Sequence, residues 1–135
     1  MNTSTMSMVK NLQLIISAII VILVSFVYGF NPSKILPVVF GFEVADLELK
    51  NIFRAIMGLY IFLGIFWIIG TQKKRFWEAA TLSNILFMGG LAFGRFISIL
   101  VDGVSNQFLI GAILELIMMI WGLYNLKKYS TILKS

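Results

Sequence analysis

Arg54, Arg95 and Glu115 are charged side chains set inside stretches that are otherwise apolar. A charge at the centre of a bilayer costs about 3 kcal/mol or more, so such residues pair, line a wet cavity or carry the protein's work. Arginine presents a planar fork of donors that suits a carboxylate or a phosphate. A deep glutamate can orient such arginines or carry a proton. Two arginines against one deep carboxylate leave a surplus positive charge, which calls for water, an anion or a lipid head group. The competing reading is structural: the three charges neutralise one another and fix helix register, with no ligand involved.

Other chemistries are excluded by what the chain lacks. The 135 residues contain neither cysteine nor histidine. Disulfides, thiol redox chemistry, Cys/His zinc sites, histidine-ligated haem and histidine-based nucleophilic catalysis are therefore absent. The only carboxylates are Glu43, Asp46, Glu48, Glu78, Asp102 and Glu115. One deep acid without a histidine disfavours an enzyme, and no cofactor is expected. The net charge of +5 does not point to nucleic acid, because Lys73-Lys74-Arg75 and Lys127-Lys128 flank apolar segments, where they meet phospholipid head groups. No basic groove with interleaved aromatics is visible.

The elements that position the charges are membrane spans. With 59% hydrophobic and 13% charged residues, the chain is too apolar for an ordinary soluble domain. It reads as a single transmembrane domain over residues 1–135, with spans at about 12–30, 52–70, 77–101 and 108–126, each near the ~20 residues a helix needs to cross. The first run is longer than a signal peptide's ~7–15 residues and lacks a small-residue cleavage pattern, so it is read as retained.

Lys10, Lys73, Lys74, Arg75, Lys127, Lys128 and Lys134 gather on one side, against Lys34 and Lys50 on the other. The positive-inside rule puts both termini and the 71–76 turn in the cytoplasm. Residues 31–50 then form an extracytoplasmic loop, with Pro32 and Pro37 preventing a simple helical continuation and Gly41 marking a turn. The apolar run Ile35–Phe40 is expected to lie in the interface or fold back over the bundle mouth. Asp46 is the expected N-cap of the second span, with Glu48 in its first turn.

Polar and small residues recur at helical spacing in every span. They are Gln13, Ser17, Tyr28 and Asn31 on the first, and Asn51, Arg54 and Gly58 on the second. The third carries Asn84, Met88, Leu91, Arg95, Ser98 and Asp102, and the fourth Gln107, Gly111, Glu115, Met118 and Gly122. Steps of three and four place each set on one helix face. The expected fold is an all-α, up-down four-transmembrane-helix bundle with a polar seam.

At ~1.5 Å of rise per residue, Arg54 sits ~4 Å, Arg95 ~9 Å and Glu115 ~11 Å inside the outer boundary. A salt bridge from Glu115 to Arg95 or Arg54 is thus expected, with Asp102 and Tyr60 as neighbours. Arg95 and Asp102, seven residues apart, are too far for easy pairing. Gly90 and Gly94 form a G-x-x-x-G step, assigned to packing within the bundle ahead of dimerisation. Trp67, Trp77 and Trp121 read as interfacial belt residues and the phenylalanines as lipid contact or packing.

The stretches Pro37–Phe42, Asp46–Tyr60 and Phe87–Ser98, followed by Asp102-Gly103 and Glu115, carry the order N-x-x-R-A-x-x-G-x-Y, G-R-x-x-S, D-G, E. In this the chain resembles the small bacterial membrane family known as domain of unknown function 4345, and more distantly the DoxX-like four-helix membrane group. The resemblance covers nearly the whole chain and implies a four-span protein of the bacterial inner membrane. It implies that Asn51, Arg54, Gly58, Tyr60, Arg95, Ser98, Asp102, Gly103 and Glu115 are shared positions. The stripes select the same residues, Tyr60 and Gly103 excepted.

Three functions compete. In the first, an outward-facing polar pocket holds a lipid head group or small amphiphile, with Arg54 and Arg95 on its anionic part and Glu115 orienting them. In the second, the bundle is an accessory subunit that docks a membrane-protein partner or a second copy, and the buried charges are structural. The third is a small proton-coupled transporter, disfavoured because the acid lies in the last span beside two arginines.

Overall fold

A computed structural model describes residues 3–130. Lys134 of the basic flank lies outside them. Five helices follow one another: α1 (Thr3–Gly29), α2 (Pro32–Phe40), α3 (Leu47–Gln72), α4 (Lys74–Val101) and α5 (Asn106–Tyr129). Four of these, α1, α3, α4 and α5, are long and apolar enough to cross a bilayer. Their 24–28 residues correspond to ~36–42 Å at ~1.5 Å per residue, more than the ~30 Å hydrocarbon core. Each therefore runs past the apolar span at one or both ends, where lysines and polar residues continue the helix into the head-group layer.

The protein is an all-α membrane bundle, with no strand among the described residues. α1 packs along α3, α3 along α4 and α4 along α5, while α5 returns to α1 over a much shorter contact. Lys10, Lys73, Lys74, Arg75, Lys127 and Lys128 mark one end of this bundle, the basic end. α2 lies at the other.

The core is built mainly at the basic end and mid-depth, from Leu14, Ala18, Tyr60, Trp67, Trp77 and Ala80. Trp67 is fully buried, and its indole N–H donates to the Ser83 hydroxyl at 3.0 Å. Trp67 and Trp77 are thus core residues, contrary to the belt expectation; Trp121 alone is half-buried. The cause is the tight turn at Lys73, which draws α3 and α4 together and leaves the indoles between helices.

The inward face of α3 also differs from its expected stripe. Its buried residues are Tyr60, Gly64, Trp67 and Gly70. At ~100° per residue, Arg54, Gly58 and Asn51 lie ~120–180° away from that face. Asn51 and Arg54 are accordingly exposed. Apolar residues outnumber polar ones on α3, and close packing by Gly64 and Gly70 decides which face turns inward. Gly90 and Gly94 also face outward, with open space where a side chain would stand, so they do not serve packing within the bundle.

Residues 31–50 are not a plain loop. Pro32 opens α2 with its preset φ and dispensable N–H, and Gly41 ends it in the left-handed region at φ 76°, donating to the Pro37 carbonyl at 3.0 Å. Pro37 is accommodated because α2 is only nine residues long. Leu36 and Val44 are buried, and the Ser33 hydroxyl donates to the Val44 carbonyl at 2.9 Å. The apolar run therefore folds back over the bundle mouth. Asp46 occupies the N-cap position of α3 without a side-chain capping bond.

The close approach of α1 and α3 near α2 depends on Gly29, where a Cβ would meet the Met57 side chain and stand 2.9 Å from the Phe53 carbonyl oxygen. Gly29→Ala should lower stability by about 1–3 kcal/mol, since backbone must move. Gly90→Ala, with open space, should be neutral or raise it by up to about 1 kcal/mol. Thermal unfolding of the two variants in one detergent checks the contrast.

Candidate functional site

The α4–α5 hairpin determines where the charges meet. Arg95 lies six residues before the end of α4 and Glu115 nine after the start of α5, a depth offset of ~4–5 Å that an arginine side chain spans. The guanidinium lies against α5 at Gly111, whose Cβ position is 3.6 Å from Arg95 Cζ. There Arg95 Nε donates to Glu115 Oε2 at 2.8 Å and Oε1 at 3.1 Å, and Nη2 donates to Oε1 at 2.9 Å. This is the one ion pair among the described residues, with side chains 22% and 12% exposed. Bonds between charged partners at this range are the strong kind. Phe108 holds the guanidinium from another side, its ring centroid 5.1 Å from Cζ.

Of the two salt bridges anticipated, the structure contains Glu115–Arg95 and not Glu115–Arg54. Arg54 and Asn51 stand on the outer face of α3 and make no hydrogen bond or ion pair among the described residues. Asp102 is exposed and accepts from the Ser98 hydroxyl at 2.9 Å, one turn away, so it does not reach Arg95. Ser98 borders a small crevice of about 190 Å³ between α4 and α5, which Arg95 and Phe108 also line. Tyr60 is in the core, edge-on to Phe87 and Tyr28 at 5.0 and 6.1 Å.

Arg95, Glu115 and Tyr60 therefore come together, whereas Asn51, Arg54, Ser98 and Asp102 do not join them. What unites the first three is a mainly apolar cavity of about 230 Å³ between α1, α4 and α5. Ser17, Val24 and Tyr28 form its α1 wall, and Arg95 and Glu115 its charged side. Phe40 of α2 stacks on Phe108 with centroids 5.1 Å apart and roofs it at the α2 end. The cavity is open sideways: Ile20 on α1 and Leu114 on α5, both in its lining, are 44% and 53% exposed. A mouth thus runs laterally along the α1–α5 seam, and exposed Gln107 lines the cavity at its α2 end. The phenylalanine roof could have been suspected from Phe108, which shares the helix face of Gly111 and Glu115. Phe40 ends the apolar run Ile35–Phe40, for which folding back over the bundle mouth is one of the two placements the sequence suggests.

Below the cavity, α1 and α5 close up. The Gln13 amide donates to Asn84 Oδ1, to the Met118 carbonyl at 3.2 Å and weakly to Ser17 Oγ at 3.4 Å. Asn125 Nδ2 donates to the Lys10 carbonyl at 3.3 Å nearer the basic end. Gln13, Ser17 and Asn84 are fully buried, and Gln13 Oε1 and Asn84 Nδ2 are left without partners. The stripes on the first, third and fourth spans anticipated this inward placement.

A family model, domain of unknown function (DUF4345), matches residues 9–126. The chain belongs to the DUF4345 family. The match takes in every element of the cavity wall, from Ser17 to Met118. No curated protein and no solved structure matches this DUF4345 chain.

Arg95→Leu or Glu115→Leu should each destabilise the protein by about 2–4 kcal/mol, somewhat below a fully buried pair because the guanidinium keeps partial solvation. The double substitution should cost less than either alone. Arg54→Leu should leave stability unchanged. Denaturation of all four variants tests the pairing as a double-mutant cycle. Gln13→Leu should cost about 1–3 kcal/mol by stranding Asn84 and the Met118 carbonyl, and adding Asn84→Leu should recover part of that loss.

Proposed function

We propose that this DUF4345 protein sits in a bacterial inner membrane with its basic end in the cytoplasm, and binds an amphiphile in the lateral cavity between α1 and α5. The carrying observation is an ion pair in the wall of an apolar cavity that opens towards lipid. Its size exceeds the ~150 Å³ that accepts a benzene ring in a dry core. The lining takes an acyl or other apolar body.

Arg95 supplies the polar recognition. Its bonds to Glu115 engage Nε and Nη2 and leave the Nη1 N–H groups to be shared between the Tyr28 hydroxyl and a ligand. The Tyr28 hydroxyl lies within electrostatic reach of the same guanidinium. Because Glu115 already balances the charge, the ligand's polar group need only accept hydrogen bonds. An ester, a carboxylate or a lipid head group meets that requirement. Both Glu115 oxygens are occupied by Arg95, which argues against the carboxylate as a carrier of exchanged cations or protons.

A second reading rests on Asn51 and Arg54, which are polar, exposed and without hydrogen-bond or ion-pair partners among the described residues on the outer face of α3. That face suits a membrane-protein partner or a second copy, with the ion pair purely structural.

Native mass spectrometry of the detergent-purified protein beside Val24→Trp and Arg95→Ala separates these readings. A small molecule or lipid retained by the wild type and lost from both variants is the expected result. Unliganded masses throughout, with Arg54→Ala changing the assembly state, would select the docking reading instead.

A further inference from the structure

The basic end contains a cavity that neither the ion pair nor the lateral cavity explains. Its volume is about 310 Å³, and its wall includes Lys10, Lys74, Trp77 and Tyr129, with Met6 and Thr71. Lys10 Nζ stands 3.8 Å from the centroid of the Trp77 ring, a cation–π contact. Trp77 is 2% exposed, yet its indole N–H has no hydrogen-bond partner among the described residues, and the Tyr129 hydroxyl has only the Lys128 ammonium beside it, which leaves its O–H free to donate. Buried donors are almost always satisfied, so two unsatisfied ones around one cavity indicate an acceptor supplied from outside the chain.

Charge specifies the acceptor. Lys10 and Lys74 are close enough to repel each other, and neither has an ion-pair partner among the described residues. Glu78 also acts on Lys10 and offsets one of the two charges; it accepts from the Ser130 hydroxyl at 2.9 Å. Among the described residues the positive charges outnumber the negative ones here, with the Lys128 ammonium also 5.3 Å from the Tyr129 ring. Two ammonium groups, an indole N–H and a phenol O–H turn donors towards one space, with Ser7, Asn11 and Thr71 completing the polar lining. A phosphate, with several acceptor oxygens and negative charge, complements it.

We infer that this cavity is a second binding site, taking a phosphate group between Lys10, Lys74, Trp77 and Tyr129. The phosphate is carried by an anionic phospholipid or by a soluble phosphate ester. Exposed Met6 in the same wall offers the apolar side that an acyl chain requires, and basic pockets between helices at a membrane face hold anionic head groups in this manner. The site is independent of the lateral cavity and stands or falls without it.

The test uses the full chain in uncharged detergent, titrated with phosphatidylglycerol, phosphatidylcholine or glycerol phosphate and read by native mass spectrometry. The wild type should retain phosphatidylglycerol over phosphatidylcholine. Lys10→Gln/Lys74→Gln should weaken retention at least ~10-fold, at ~1 kcal/mol per lysine. Tyr129→Phe, which keeps the ring, should weaken it about 3-fold. Val24→Trp, which fills the lateral cavity, should leave the share of retention that depends on Lys10 and Lys74 unchanged. Arg75→Gln/Lys127→Gln removes two charges from the same end outside the cavity and serves as the control.

Retention of glycerol phosphate with the same dependence on Lys10, Lys74 and Tyr129 would assign a soluble ester as the source. Its absence beside bound phosphatidylglycerol would assign the lipid. Equal losses in the control and in Lys10→Gln/Lys74→Gln would overturn the proposal, because diffuse surface charge would then account for binding. No preference for either phosphate probe over phosphatidylcholine would also overturn it.

Discussion

Gln13 is the point at which three helices are tied together. Its amide reaches Asn84 on α4, the Met118 carbonyl on α5 and Ser17 on its own helix, wholly out of contact with solvent. Inside hydrocarbon there is little hydrophobic force to hold helices together, so packing and interhelical hydrogen bonds do most of that work. Here the bonds lie mid-depth and towards the basic end, where Asn125 adds a further one to the Lys10 carbonyl. Among the described residues no side-chain hydrogen bond joins α1 to α5 from Met118 towards α2. The helices part there, and the opening becomes the lateral cavity.

The same asymmetry explains why an arginine can be tolerated where it is. A gap in the α2 half of the bundle must be lined by something, and Arg95 fills part of it by laying its guanidinium along α5 to Glu115. The pair is neutral as a whole, and Arg95 has more N–H groups than the Glu115 oxygens take up. Phe40 and Phe108 cover it from the α2 end, which lowers the local dielectric and strengthens the interaction beneath. The sideways opening and the aromatic roof are therefore parts of one arrangement.

Much of this was legible in the order of residues. Four apolar runs and their lysine-rich flanks give the spans, and three of the four polar stripes mark faces that do turn inward. The stripe on α3 misled because a helix with few polar residues is oriented by packing. Tyr60, Gly64, Trp67 and Gly70 fit against α1 and α4, and Arg54 is carried to the outside as a result. The tryptophans misled for a related reason. Proximity to a span's end says belt, but the one-residue turn at Lys73 brings two helix ends so close that Trp67 and Trp77 are enclosed. The helix in residues 32–40 was masked by its two prolines, one of which starts it. Tertiary closeness, which a single sequence does not record, decided each of these.

Arg95 and Glu115 are only twenty residues apart, on either side of one short turn. This bears on how the chain enters the membrane. A span bearing an unpaired arginine pays about 3 kcal/mol against insertion, and a span bearing an unpaired acid pays a similar amount. Taken in together, α4 and α5 bring their own neutralising partner and the penalty largely cancels. For the second half of this protein the hairpin is therefore a cheaper unit to place in hydrocarbon than either helix alone.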